Sequence, residues 1–253
     1  DANQRLAAIA DARTIIDQAQ QGRNRWRIAG VCALVLVLAA VIALLLTRPV
    51  RPTDSSQSVQ LTKFSDAVSQ PALSPDGRMV AFVRGESTFY GAGQIYVKIL
   101  PDGAPVQLTH DNLDKMSPVF SPDGTHIAYT TVNPDFQWDT WTIPVLGGEP
   151  QMMLKNASGL VWTGPRQLLF SEVRMGVHMA VVASGEGRIG QRDIYVPPDE
   201  PRMAHRSYLS PDGKWVLLVE MDIDHLWEPC RLVPADGSSA GQKVGPLGGG
   251  CTF

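Results

Sequence analysis

Cysteine is scarce in this chain, three among 253 residues, and histidine occurs five times. One cysteine, Cys32, sits inside a long apolar run, which leaves Cys230 and Cys251 as the pair that a disulfide could join. Net charge is small: 22 Lys and Arg stand against 25 Asp and Glu, for a net of −3, with both signs spread along the chain. There is no basic stripe of the kind that follows a nucleic-acid backbone, so nucleic acid is not expected as a partner. No Ser or Cys stands in a nucleophile-elbow sequence, and His110, His126, His178 and His205 are scattered, so local motifs build no hydrolytic triad.

What the chain does have is a repeat. Ser-Pro-Asp-Gly occurs at Ser74–Gly77, Ser121–Gly124 and Ser210–Gly213, the first two copies 47 residues apart and the last two 89 apart, close to twice that period. A degenerate copy is expected between them, and Val161–Phe170 keeps the apolar, turn, strand pattern of Val119–Tyr129. Each motif encodes a tight turn: Pro presets φ, Asp bonds its own backbone, and Gly takes the positive φ that closes the hairpin. The structural residues are thus Asp76, Gly77, Asp123, Gly124, Asp212 and Gly213. Val59-Gln60-Leu61-Thr62 and Val106-Gln107-Leu108-Thr109 recur at the same 47-residue interval and read as the openings of successive units. A period near 45 residues fits one four-stranded blade. Gln94–Ile99 and Asp139–Val145 alternate polar and apolar as half-buried strands do.

These turns and Gln-Leu-Thr openings resemble the WD-like propeller repeats of the TolB family, over residues 59–253. The resemblance implies a mainly β fold, a partial β-propeller of about four blades, open or truncated. Three full units and a fragment are read, since Gly248–Phe253 looks like the strand that leads into another turn.

Upstream, Ile28–Leu46 is a run of 19 residues without a charge, long enough to cross the hydrocarbon core. Arg23, Arg25 and Arg27 crowd its N-terminal side, against Arg48 and Arg51 beyond it, which orients residues 1–22 to the cytoplasm and the propeller outward. The expected organisation is a cytoplasmic amphipathic helix over residues 1–22, a transmembrane helix with its basic flank over 23–47, a Pro- and Ser-rich linker over 48–58, and the propeller over 59–253. The location that follows is a bacterial plasma membrane, crossed once, with self-association through the span as one route for a signal.

Asp1-Ala2-Asn3-Gln4-Arg5-Leu6 resembles the Asp-Pro-x-x-Arg element near the end of protein-kinase catalytic domains, with Ala2 in place of Pro. The resemblance implies that Arg5 is a structural residue of a kinase C-lobe and that the parent is a receptor-type serine/threonine kinase. Its ATP and Mg²⁺ would bind upstream of Asp1, so no cofactor belongs to this chain. The expected role is then a sensor or protein-interaction module for an unknown protein or small-molecule ligand. The alternatives are a membrane-anchored Tol-like scaffold without a kinase, or the propeller of a serine peptidase.

Two further motifs tempt. Gly185–Gly190 matches G-x-G-x-x-G, but a strand follows instead of a helix, so it reads as a hairpin loop. Asp222-Ile223-Asp224-His225 gathers two carboxylates and an imidazole with no second His at ligand spacing, and reads as a polar loop, with no metal assigned. Cys230 and Cys251 read either as a disulfide in an oxidising compartment or as two buried thiols.

Overall fold

The structure, a computed structural model, describes residues 59–86, 91–200, 202–222, 227–247 and 251. The expected cytoplasmic helix with Arg5, the membrane span and the linker lie outside the described residues, as do Asp224 and His225. Among the described residues no helix is long and apolar enough to cross a membrane.

Four antiparallel units follow one another along the chain, each of four strands. The first holds β1 (Ala67–Leu73), β2 (Met79–Gly85), β3 (Gly93–Ile99) and β4 (Val106–Gln107). The second holds β5 (Asp114–Phe120), β6 (His126–Val132), β7 (Trp138–Pro144) and β8 (Gln151–Leu154). The third holds β9 (Ala157–Gly164), β10 (Gln167–Met175), β11 (His178–Gly185) and β12 (Arg192–Tyr195). The fourth holds β13 (Met203–Leu209), β14 (Trp215–Met221), β15 (Cys230–Pro234) and β16 (Gln242–Val244). A single parallel pairing, Met179 with Met203, joins the sheets of the third and fourth units. The first strands β1, β5, β9 and β13 lie side by side in that order, which gives the arrangement of propeller blades about an axis. No strand pairing joins the fourth unit to the first among the described residues, so the propeller is not closed.

Two boundaries differ from the sequence reading. There are four complete four-strand units rather than three and a fragment: the degenerate copy builds the expected blade on the two-residue connection Pro165-Arg166 between Gly164 and Gln167, and of Gly248–Phe253, taken as the fragment, all but Cys251 lies outside the described residues. And Val106-Gln107 ends a unit rather than opening one, as the outermost strand β4 paired to β3. The recurring Gln and Thr hold that strand down: Tyr96 donates its hydroxyl to Gln107 Oε1 at 2.6 Å, and the Ile95 amide donates to Thr109 Oγ1 at 2.9 Å. Leu108, between them, is buried in the core.

The Ser-Pro-Asp-Gly motif closes the β1–β2, β5–β6 and β13–β14 hairpins through one repeated set of bonds. Ser74 Oγ donates to Asp76 Oδ1 at 2.6 Å and accepts from the Met79 amide at 2.8 Å, while Asp76 accepts from the Arg78 amide at 3.0 Å. Ser121 with Asp123 and Ser210 with Asp212 repeat the pattern, each hydroxyl-to-carboxylate bond again 2.6 Å. The serine hydroxyl, then neighbouring amides, hold these carboxyls below their usual range, Asp123 down to about 2 with help from the Thr125 amide and hydroxyl. Gly77, Gly124 and Gly213 have φ of 70°, 71° and 71°. A β-branched residue resists that region, so Gly124→Val should lower stability by about 1 kcal/mol or more. Chemical denaturation checks this; an unchanged midpoint would show that the turn does not depend on glycine.

Second strands are buried on both faces, as in Val80–Val83 and Val216–Met221; in the fourth unit Val216 and Leu218 face the third, while Leu217 and Val219 pack with Cys230 of their own unit on the other side. The core is therefore a series of interfaces between adjacent blades. Val83, Ile95 and Val97 meet Phe120, Ile127 and Ile143 between the first two; Ala128 and Leu154 meet Leu168 and Phe170 at the next; Leu169, Val181 and Ile194 meet Val216, Leu218 and Val233 at the last.

Candidate functional site at the propeller axis

Each inner strand departs from regular pairing near its middle. Register breaks fall between Ser69 and Ala72 on β1, Met116 and Val119 on β5, Ser158 and Val161 on β9, and Ala204 and Arg206 on β13. Such bulges re-aim side chains that would otherwise alternate between the two faces of a blade. Gln70 and Ser117, each four residues before the Ser of its turn, take φ of 52°, and Gly159 takes 61°. Positive φ in non-glycine residues costs on the order of 1 kcal/mol or more and concentrates at sites where geometry matters. Glycine suits position 159 for a second reason: a Cβ there would stand 3.2 Å from the His205 carbonyl oxygen, a tight contact where β9 and β13 approach closely.

The bulged segments of all four units enclose one cavity of about 370 Å³. Gln70 and Arg206, at opposite ends of the blade series, meet across it: Gln70 Oε1 accepts from Arg206 Nη2 at 3.0 Å and from the Ser117 amide at 2.7 Å. Arg206 is the one charged residue of the lining, which holds no Asp or Glu. Its Nε, together with Ser117 Oγ and Ser207 Oγ, is buried without a hydrogen-bond partner. Buried polar groups are nearly always satisfied, so three orphaned atoms on residues that line one cavity mark a place where a polar partner is missing.

Behind this lining His205 is 2 % exposed, with the Trp138 ring edge-on at 5.4 Å. Burial, with a smaller push from the Arg206 charge, lowers the His205 pKa from 6.5 to about 3, so the imidazole stays neutral. An unfolded chain protonates this histidine below about pH 6.5 and the folded one does not. Stability from this residue is therefore level above pH 6.5 and falls by about 1.4 kcal/mol per pH unit below it, down toward pH 3. Comparing wild type with His205→Gln at pH 7 and pH 5 should show the variant losing about 2 kcal/mol less over that interval. Equal losses would contradict a neutral, buried His205.

A larger cavity of about 600 Å³ lies beside the turn of the second unit, near His126 and Trp162. Its carboxylates are already engaged, Asp123 by Ser121 and Glu186 by Arg166 at 3.0 Å. The Gly185–Gly190 loop joins β11 to β12 as a hairpin with one short 3-10 turn at Glu186–Arg188. Its Gly185 amide donates to the Ile189 carbonyl at 2.8 Å, and Arg188 pairs with Glu172 and the Lys155 carbonyl, so amide and guanidinium serve the hairpin rather than a phosphate. Among the described residues no group of three His, Cys, Asp or Glu gathers as metal ligands would.

The residues singled out in the sequence sit apart from the axial cavity. Asp76, Gly77, Asp123, Gly124, Asp212 and Gly213 occupy hairpin turns. Cys230, on β15, is joined to Cys251, with Cα atoms 6.5 Å apart, inside the range for a disulfide. The lining residues Gln70, Ser117, Arg206 and Ser207 were missed. One signal was present: Gln70, Ser117 and Arg206 each stand four positions before the Ser of a Ser-Pro-Asp-Gly turn, polar where a blade strand should be burying apolar side chains.

No protein-family profile and no curated protein sequence matches the chain. Solved structures do resemble it. The crystal structure of TolB from Acinetobacter baumannii superposes with a TM-score of 0.57 at 20 % identity, covering 73 % of this chain and 45 % of that one. A putative TolB from Agrobacterium tumefaciens gives 0.53 at 19 %, covering 71 % and 62 %. A puromycin-hydrolysing peptidase of Mycobacterium tuberculosis gives 0.51 at 16 %, covering 74 % and 30 %. The chain thus spans less than half the length of the first of these proteins. At such identities the likeness speaks to fold alone, and the fold of the described residues is that of a TolB-like β-propeller, unclosed.

Proposed function

We propose that this chain is a recognition module: an extracytoplasmic propeller, tethered by one membrane span, that binds a protein or small-molecule ligand for a transmembrane serine/threonine kinase. The same architecture occurs in a TolB and in a peptidase, so the fold does not choose among functions. The observation that carries the reading is the axial cavity, to which all four blades contribute and where a guanidinium Nε and two hydroxyls wait without partners. Donors held on two bulged strands, β5 and β13, suit binding, since their positions are set before a ligand arrives. The tether rests on the uncharged run Ile28–Leu46, and the kinase on the resemblance around Arg5. A binding event would reach the cytoplasm as a change in association or orientation of spans.

Topology tests this reading first. Leu146 is 97 % exposed on a turn, so Leu146→Cys should react with a membrane-impermeant maleimide on intact cells, while Ala12→Cys should react only after lysis. Labelling of both sites, or of neither, before lysis would overturn the tethered, outward-facing propeller. With the full parent protein in membranes, deleting residues 59–253 should abolish ligand response and leave basal phosphorylation intact.

A further inference from the structure

Nothing in the lining of the axial cavity neutralises Arg206, and the groups around it are sorted by chemistry. Arg206 makes no ion pair among the described residues; its Nη2 is steadied by Gln70, which leaves Nε–H as an unused donor. Ser117 Oγ and Ser207 Oγ are unused too, and Ser207 is only 3 % exposed, so its orphaned hydroxyl is not a surface accident. Three hydrogen-bond donors with one positive charge match the two oxygens of a single carboxylate, since an ionised acceptor gains most from a guanidinium held in place. A dianionic phosphate would find one cation only. The remaining wall is apolar, with Pro71, Pro118, Leu160 and Val161, and suits a hydrocarbon group beside the anion.

We infer that the axial cavity binds a carboxylate carried on an apolar group, as at the C-terminus of a peptide or on a small carboxylic acid, with Arg206, Ser117 and Ser207 as its donors. This rests on the reading of the cavity as the recognition site. A carboxylate is desolvated on entering, and a held cation with unsatisfied hydroxyls beside it offsets that cost. An amide of the same shape brings no charge to Arg206 and adds N–H groups that face donors, so the site rejects it.

The test is calorimetric titration of the full chain in detergent micelles with N-acetyl-leucine, N-acetyl-leucinamide, and acetyl-Ala-Ala-Leu as acid and as C-terminal amide. The acids should bind at least about tenfold more tightly than their amides, a comparison that needs no variant. Arg206→Gln should weaken the acids by about tenfold or more, Ser207→Ala by less, and Arg206→Lys should keep part of the affinity, with circular dichroism checking that each variant is folded. A tripeptide acid that binds much better than N-acetyl-leucine identifies a chain terminus as the source, and equal affinity identifies a small acid. Equal binding of acid and amide, no binding of any probe at millimolar concentration, or an Arg206→Gln variant that is folded and binds unchanged would each overturn the inference. The labelling experiment is independent of this result, so failure of the carboxylate site and failure of the outward topology are told apart.

Discussion

Arg231→Leu should destabilise the propeller by about 3–5 kcal/mol, the loss expected when one partner of a buried ion pair is removed. Glu220, on β14, is 1 % exposed. Its Oε2 accepts from Arg231 Nε at 2.9 Å, and its Oε1 accepts from the Tyr195 hydroxyl at 2.6 Å. Burial first, and the bond to Glu220 second, raise the Tyr195 pKa far above its usual value, so the phenol remains a donor. Arg231 also lies over the Tyr195 ring, 4.8 Å from its centroid, and donates to the Ala240 carbonyl. Because Tyr195 belongs to β12 and the other two to β14 and β15, this cluster fastens the third blade to the fourth. Without Arg231 a carboxylate is left buried against a single phenol. The companion change Glu220→Leu in the same chain should recover only part of the loss, since the apolar pair avoids the desolvation of the charges but leaves the buried Tyr195 hydroxyl without its acceptor. Chemical denaturation of the two variants checks this. A loss below about 1 kcal/mol for Arg231→Leu would place the pair among solvated surface ion pairs.

The second large effect concerns Cys230 and Cys251, 21 positions apart. Restricting a loop of that length in the unfolded chain is worth about 3 kcal/mol on the loop-entropy description. The fourth blade has reason to need it. Its outermost strand β16 is three residues long, and the segment leading into it turns at Gly237 and Gly241 with φ of 72° and 63°. A Cβ at Gly241 would lie 2.0 Å from the Leu232 carbonyl oxygen, so no other residue lets β16 return along β15. Around the bond pack Leu217, Val219, Leu232 and Val244. Cys230→Ser should therefore lower stability by about 3 kcal/mol, and reductant should do the same to wild type with no effect on the variant. Two alkylated thiols in the non-reduced protein, found by mass spectrometry, would contradict the bond and weaken the case for an oxidising compartment.

Local chemistry made the fold legible. In Ser74-Pro75-Asp76-Gly77 every bond that shapes the turn lies within five positions, so three copies and their spacing announce hairpins and blades without any knowledge of packing. The third blade was harder because Gly164-Pro165-Arg166-Gln167 makes its turn with none of the Ser and Asp bonds, yet the apolar run Leu168-Leu169-Phe170 kept its place. Val106-Gln107-Leu108-Thr109 recurs visibly, but its role as an outer strand depends on β3, which only the fold brings alongside. The axial site was the least legible part. Gln70 and Arg206 are 136 positions apart, and each alone looks like a polar residue in a strand. What makes them a site is a bulge in each inner strand, a backbone feature that Gln70 and Ser117 do not advertise as glycine would.

The account turns on four blades set around one axis, and proximity of Gln70 to Arg206 tests that most directly. In a Cys32→Ser background, Gln70→Cys and Arg206→Cys should be joined within one molecule by a bismaleimide with a hexyl spacer. Peptide mapping should recover the residues 70 and 206 cross-link in a yield independent of protein concentration. A pair across the β6–β7 ladder, Thr131→Cys with Asp139→Cys, serves as control, since those residues are register partners. If the control pair links while 70 and 206 do not, or link only between molecules, the blades do not surround a common axis and the site built there does not exist.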